Sequence, residues 1–293
     1  MTISSTLHRW GLSLLMLLLP ATLIARQSYT TSFAEARQTG KATIKALYFE
    51  QPHFSYTDDD GNPAGIAIDI FRQFTNYLKH HHKIETTISF EGTANFTGFM
   101  AEVKDGGEGL VGLGNITITD ARKEEFRFSP AYFDNVSVLV TRMNAPTLSR
   151  LRRIGTDLEN LTAVTVRNTT YEKYFLELKE THFPYLVIEY VDSDREIIEV
   201  VRRRPGKMAY VDYHQYHDFR GRLKRDKAAD REGEEFGFIM PDGSDWQQAW
   251  RAFFAFNNGY RNSSLYRKIV AYHLGHEGAD LLKKYYVQQD SDK

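Results

Sequence analysis

The sequence predicts an α/β fold, and three observations carry that expectation. Short β-like runs alternate with helical patterns along most of the chain, which argues for largely parallel sheets flanked by helices. Leu110, Val111 and Leu113, interleaved with Gly112 and Gly114, are apolar towards both faces, as a strand covered on both sides must be. A chain of 293 residues with 42% hydrophobic content is large enough for one large or two medium domains.

In chain order, residues 43–48 form the first β-like run. Residues 66–78 then repeat Ile66, Ile70, Phe74 and Leu78 at the spacing of one helix face, with Phe71 and Tyr77 beside them as core. A strand over 84–90, a helix around 96–103 and the buried strand 110–114 complete a first unit. In such sheets ligands lie at the carboxyl ends of the strands, where Glu50 and Thr117 fall. Residues 136–141 read as a strand leaving this unit.

After Pro146 a second α/β unit follows, with strands over 161–166, 186–191 and 207–213 and helices over 171–178 and 194–201. Arg202, Arg203 and Arg204 suit the negative end of the latter helix before Pro205 and Gly206 stop it. The charged segment 220–235 reads as a loop leading into a strand over 236–240. Closing helices carry Trp246, Trp250, Phe253 and Phe254, with Asn258 and Gly259 as a stop.

The chemistry concentrates behind the strand 110–114. Asn115, Thr117, Thr119 and Asp120 open a helical turn that carries Arg122. Backbone N–H groups freed at a helix start, a threonine hydroxyl and a guanidinium all donate, so their convergence favours a carboxylate or phosphate. The alternative for Arg122 is a solvated helix arginine paired with Glu125.

Thr117, Ile118, Thr119, Arg122, Phe128, Ser129 and Tyr132 together resemble the signature of the extracellular solute-binding proteins of the polar amino acid family. That family, bacterial solute-binding protein family 3, has the type II periplasmic binding fold. Similarity extends to the opening strand and Pro-x-Phe-Ser-Tyr loop at 40–56, the Gly-x-x-x-Asp helix start at 60–71, the stretch from Thr156 and the closing helices at 244–275. The resemblance implies two lobes, each a mainly parallel sheet flanked by helices, joined by a two-strand hinge. Lobe 1 is expected over 41–141 and 236–293, and lobe 2 over 142–235.

For the site, the resemblance implies that Arg122 forks onto a ligand α-carboxylate, helped by Thr117 and, from the second lobe, by Thr169. The carbonyl of Asn115 and the carboxylate of Asp212 take the ammonium. Here Asn168 replaces the family's glycine before Thr169, which leaves the register of Arg167 and Thr170 open. Taken alone, Asp212 is equally a surface turn residue. Side-chain selectivity falls to Tyr48, Glu50, Phe54, Phe90 and Arg167; Tyr48 and Phe54 suit either a sandwich around the guest or ordinary packing. Glu50 points to a basic side chain.

Composition narrows the setting. His8 and Arg9 precede an apolar stretch over 10–25 that is too short for a membrane span and sits where a secretory signal belongs, so residues 1–25 are expected to be a cleaved signal peptide. The absence of cysteine removes disulfides, thiolate metal sites, catalytic thiols and lipid attachment. The mature protein is therefore expected free in the periplasm as a monomer. A net charge of −1 recruits no nucleic acid. No motif calls for a cofactor, and His80, His81 and His82 point in different directions on a helix end, which speaks against a metal site.

The expected function is thus capture of an amino acid or similar zwitterion, with an ABC importer permease or a sensor as the implied partner. The alternative, from another class, is a secreted cyclohexadienyl dehydratase-like enzyme on the same fold, with Glu172 as proton donor; the missing glycine pair argues against it.

Overall fold

The computed structural model describes residues 30–167, 169–192 and 194–289; the expected signal peptide and Asn168 lie outside the described residues. Helix α1 (Phe33–Thr39) starts on Ser32, whose hydroxyl accepts from the Glu35 N–H, and ends on left-handed Gly40. Strand β1 (Lys41–Phe49) is followed by a small antiparallel hairpin, β2 (Tyr56–Thr57) with β3 (Pro63–Ala64). Helix α2 (Ile66–Tyr77), β4 (Glu85–Thr93), α3 (Phe96–Lys104) and β5 (Leu110–Thr117) complete the first unit. Both β4 and β5 run parallel to β1.

A short helix α4 (Asp120–Lys123) and β6 (Phe126–Phe128) lead into the long strand β7 (Phe133–Arg142). The second unit holds α5 (Ile154–Asp157), β8 (Thr162–Val166), α6 (Thr170–Thr181), β9 (Ile188–Val191), α7 (Asp194–Arg203), β10 (Lys207–Asp212), α8 (Tyr213–Asp218) and β11 (Leu223–Arg225). The chain returns along β12 (Arg231–Pro241) and ends in α9 (Trp246–Ala255) and α10 (Ser264–Gln289), which breaks at Gly275.

The main path of the sheet runs β4-β1-β5-β12-β7-β10-β8-β9. Its two flanks, β4-β1-β5 and β10-β8-β9, are parallel, whereas β12 and β7 in the middle pair antiparallel. Each flank is an α/β unit, and the chain passes from one to the other along β7 and back along β12.

The helix face anticipated from the spacing is the buried one. Ile66, Ile70, Phe71, Phe74 and Leu78 are fully buried, and Phe74 stacks on Trp250 with ring centroids 3.7 Å apart. Burying each such side chain contributes roughly 1.5–3 kcal/mol. On the other face of the sheet, a Cβ at Gly112 would lie 2.8 Å from both Val103 and Ile239. Glycine there lets α3 sit close on the sheet.

One expectation is corrected. Segment 220–235 is not a loop: it contains β11, and residues 231–235 are the first half of β12. Arg231 and Gly233 are partly buried while Glu232 and Glu234 are exposed, so a strand period is present but carried by charged residues. Strand β5 also continues through Asn115 to Thr117, and β7 begins at Phe133. The histidine triple diverges, His81 stacking on Tyr77 and His82 standing edge-on to Phe33. Among the described residues no group of three or more metal-ligating side chains is arranged to hold an ion.

Candidate functional site

The end of β5 sets the arginine. Thr119 caps α4 by accepting the Arg122 N–H at 3.2 Å, and the turn folds the guanidinium back so that it donates to the Thr117 carbonyl at 2.9 Å. It lies 5.8 Å from the Phe96 ring centroid. Burial pulls this guanidinium below its ordinary value, with the charge of Glu234 opposing. Glu125 binds Lys104 at 2.7 Å instead. No carboxylate among the described residues forms an ion pair with Arg122. Asn115 is partly exposed on the same strand face as Thr117, two residues earlier.

The opposite charge stands at the end of β10. Asp212 accepts from Asn135 Nδ2 at 2.6 Å and from the phenol of Tyr171, and its own N–H donates to Gln215 Oε1 at 3.1 Å. Burial pushes the carboxyl above its ordinary value, and the two hydrogen bonds pull the other way. Among the described residues no basic side chain pairs with it.

The start of α6 reaches Asp212 and Glu234. Thr169 caps it, accepting the Glu172 N–H at 3.2 Å and donating to the Val166 carbonyl at 2.7 Å, so its hydroxyl is engaged in the turn itself. The next residue, Thr170, donates to Glu234 Oε1 at 2.8 Å, and the one after it is the Tyr171 that holds Asp212. One helix start therefore touches Asp212 on one side and Glu234, whose charge bears on Arg122, on the other.

The remaining candidates separate. Tyr48 is buried and shares a 2.7 Å hydrogen bond with Thr57, which in turn donates to Glu50 at 2.6 Å through its hydroxyl and 3.1 Å through its N–H. Glu50 so held lines a recess of about 360 Å³ with Gln51, Pro52, His53, Tyr56 and Asp218. Phe54 is fully buried, its ring edge-on to those of Phe133, Phe236 and His214, so it belongs to the core and offers a guest no surface here. Phe90 packs on Phe71 beneath α2. Arg167 is exposed and stacks 3.6 Å from the Tyr190 ring centroid. Glu172 hydrogen-bonds Tyr190 as well.

Sequence reasoning left the register of Thr170 open and missed Asn135, Tyr171 and Glu234. Asn135 lies 77 positions from its partner Asp212, and Tyr171 lies 41 from it, so no local spacing announces them. Beside this cluster, His53 Nε2 sits 2.7 Å from Asp218 Oδ1, linking the loop after β1 to α8. Next to them His214 is buried, both ring nitrogens lack a hydrogen-bond partner among the described residues, and burial pushes it down to about 3.

Comparisons with known proteins agree with this architecture. The family model for bacterial extracellular solute-binding proteins, family 3, matches residues 46–276. The L-cystine solute receptor of Neisseria gonorrhoeae, in its unliganded open conformation, is similar with 16% identity over 85% of this chain and 99% of that one, at a TM-score of 0.63. Substrate-binding domain 2 of Lactococcus lactis GlnP shares 17% identity over 79% of this chain and 95% of its own, at 0.62. A binding component of an ABC transporter from Wolinella succinogenes, complexed with lysine, shares 16% over 79% and 95%, at 0.58. At such identities the likeness is one of fold: the type II periplasmic binding fold, two α/β lobes joined by a two-strand hinge. No curated protein matches. Among the described residues no helix is long and apolar enough to cross a membrane. With the family pattern running from the first strand into the last helix, the chain belongs to the bacterial extracellular solute-binding proteins, family 3.

Proposed function

We propose that this protein captures an amino acid or a similar small zwitterion between two closing lobes, residues 41–141 with 236–293 and residues 142–235, in the periplasm after removal of residues 1–25. The observation that carries the reading is a pair of unmatched charges: Arg122 has no carboxylate ion-paired to it, and Asp212 has no basic partner among the described residues. A zwitterion supplies both missing partners at once. Its carboxylate goes to Arg122, Thr117 and the Thr169 turn, its ammonium to Asp212 and the Asn115 carbonyl, and its side chain towards Tyr48 and Glu50. Arg167 stands at the rim.

Charges of both signs then enter the crevice already paired, which offsets the cost of removing them from water. Because the guest touches both lobes, its binding free energy favours the closed form. Relatives of the same fold include a lysine complex, a cystine receptor and an ancestral arginine-binding protein, which supports an amino acid as the guest. A monomer that closes in this way hands its cargo to an ABC importer permease or reports it to a sensor.

A thermal-shift screen of the twenty amino acids and simple polyamines tests the reading, since a ligand at about 100 times its Kd stabilises by about 2.7 kcal/mol. Arg122→Ala is expected to abolish every hit while the fold remains. Unchanged affinity in that variant would refute the site.

A further inference from the structure

Glu234 belongs to the exposed, alternating half of β12, and three contacts fix where it stands. The Ile118 N–H donates to the Glu235 carbonyl at 2.8 Å and Phe236 is in register with Thr117, so the strand holds Glu234 beside the turn from Thr119 to Arg122. Its Oε1 accepts from Thr170 Oγ1 at 2.8 Å, at the first residue of α6. Its charge reaches the Arg122 guanidinium without closing to an ion pair.

Resting on the carboxylate-binding reading above, we propose that Glu234 is an internal competitor for the Arg122 subsite, occupying in the empty protein the ground a guest's carboxylate must take. The chemistry is matched: a helix-start hydroxyl and a guanidinium are what the guest's carboxylate needs, and Glu234 already accepts from the first and lies within the field of the second. Two carboxylates crowded onto one guanidinium repel each other, so an arriving guest must push Glu234 aside or bind against its field. Since Glu234 is exposed and its link to Arg122 is purely electrostatic, the effect on affinity is modest, roughly two- to fivefold. Glu234 thereby biases selection: a guest held only at Arg122 loses that factor, whereas one that also satisfies Asp212 retains the larger share of its binding energy.

The test compares thermal shifts of the purified wild type, Glu234→Gln, Arg122→Ala and the double variant, with an equimolar mixture of the twenty amino acids as the probe. Glutamine keeps the side-chain size and an oxygen that accepts from Thr170, so a role confined to bracing α6 would leave the shifts unchanged. Glu234→Gln is expected to respond more strongly than the wild type, by the equivalent of roughly two- to fivefold tighter binding. The difference should shrink at high salt and vanish in the double variant. An equal or smaller response in Glu234→Gln overturns the proposal, as does a gain that persists at high salt or without Arg122. A full response in Arg122→Ala alone has a different meaning, because it removes the carboxylate reading on which the competition rests.

Discussion

The phenol of Tyr171 donates to the carboxylate of Asp212, tying the first turn of α6 to the end of β10. The bond does two things at once. It aims the carboxylate, and it favours the charged form that burial otherwise opposes. Tyr171→Phe removes the donor while keeping the ring. Calorimetric titration with whichever amino acid the screen identifies should show affinity weakened by about 1–2 kcal/mol, with the loss larger at low pH because the Asp212 carboxyl takes up its proton more readily. Affinity equal to wild type across pH would make the phenol a packing element only.

Removing the Asp212 charge should separate stability from binding. Its carboxyl is raised in the folded state, so its contribution to stability falls as pH rises from the unfolded value of 3.8 through the folded one, and above that the penalty is constant. Asp212→Asn relieves this penalty at pH 7. The empty variant should therefore melt at or above the wild-type temperature, while ligand affinity drops by at least about 2 kcal/mol. A variant that melts lower and still binds would contradict both halves.

The backbone before α2 offers a third check. Gly65 sits at φ 116°, and a Cβ there would lie 2.4 Å from the Phe54 carbonyl oxygen. That carbonyl accepts the Ala67 N–H at 2.8 Å, so it cannot swing away without opening the helix start. Gly65→Ala should cost at least about 2 kcal/mol in denaturant titrations. Since Glu50 stands at the start of the loop that ends on Gly65, ligand affinity should fall with stability.

Much of the layout was legible because it is local. The spacing of Ile66, Ile70 and Phe74 states a helix face, and glycines among Leu110, Val111 and Leu113 state a strand covered on both sides. The Thr117 to Arg122 turn was legible for the same reason, since its capping bond spans three residues. The first half of β12 was not, because its period is written in Arg231, Glu232 and Glu234, which score as loop on composition. Nor were Asn135 and Tyr171 legible as partners of Asp212: only the folding of three distant segments onto one carboxylate brings them together. For Phe54 the sequence left a sandwich and ordinary packing equally open, and the choice needed the fold, which turns its ring into the core.

His214 should make the protein acid-labile in a defined window. It is 4% exposed, stands edge-to-face with Phe54, and neither ring nitrogen has a partner among the described residues; burial pushes it down to about 3, with nearby His53 acting in the same direction and Asp218 against it. The unfolded chain takes up a proton near 6.5, which the folded chain refuses until about 3. The stability that neutral His214 permits is thus complete above about 6.5 and is lost progressively as pH falls below it, by on the order of 5 kcal/mol over the whole window. His214→Leu removes the titrating ring and its unpartnered nitrogens together. Urea titrations at pH 7 and pH 5 should find that the variant loses less stability between the two than the wild type does. An identical loss would place the acid sensitivity elsewhere.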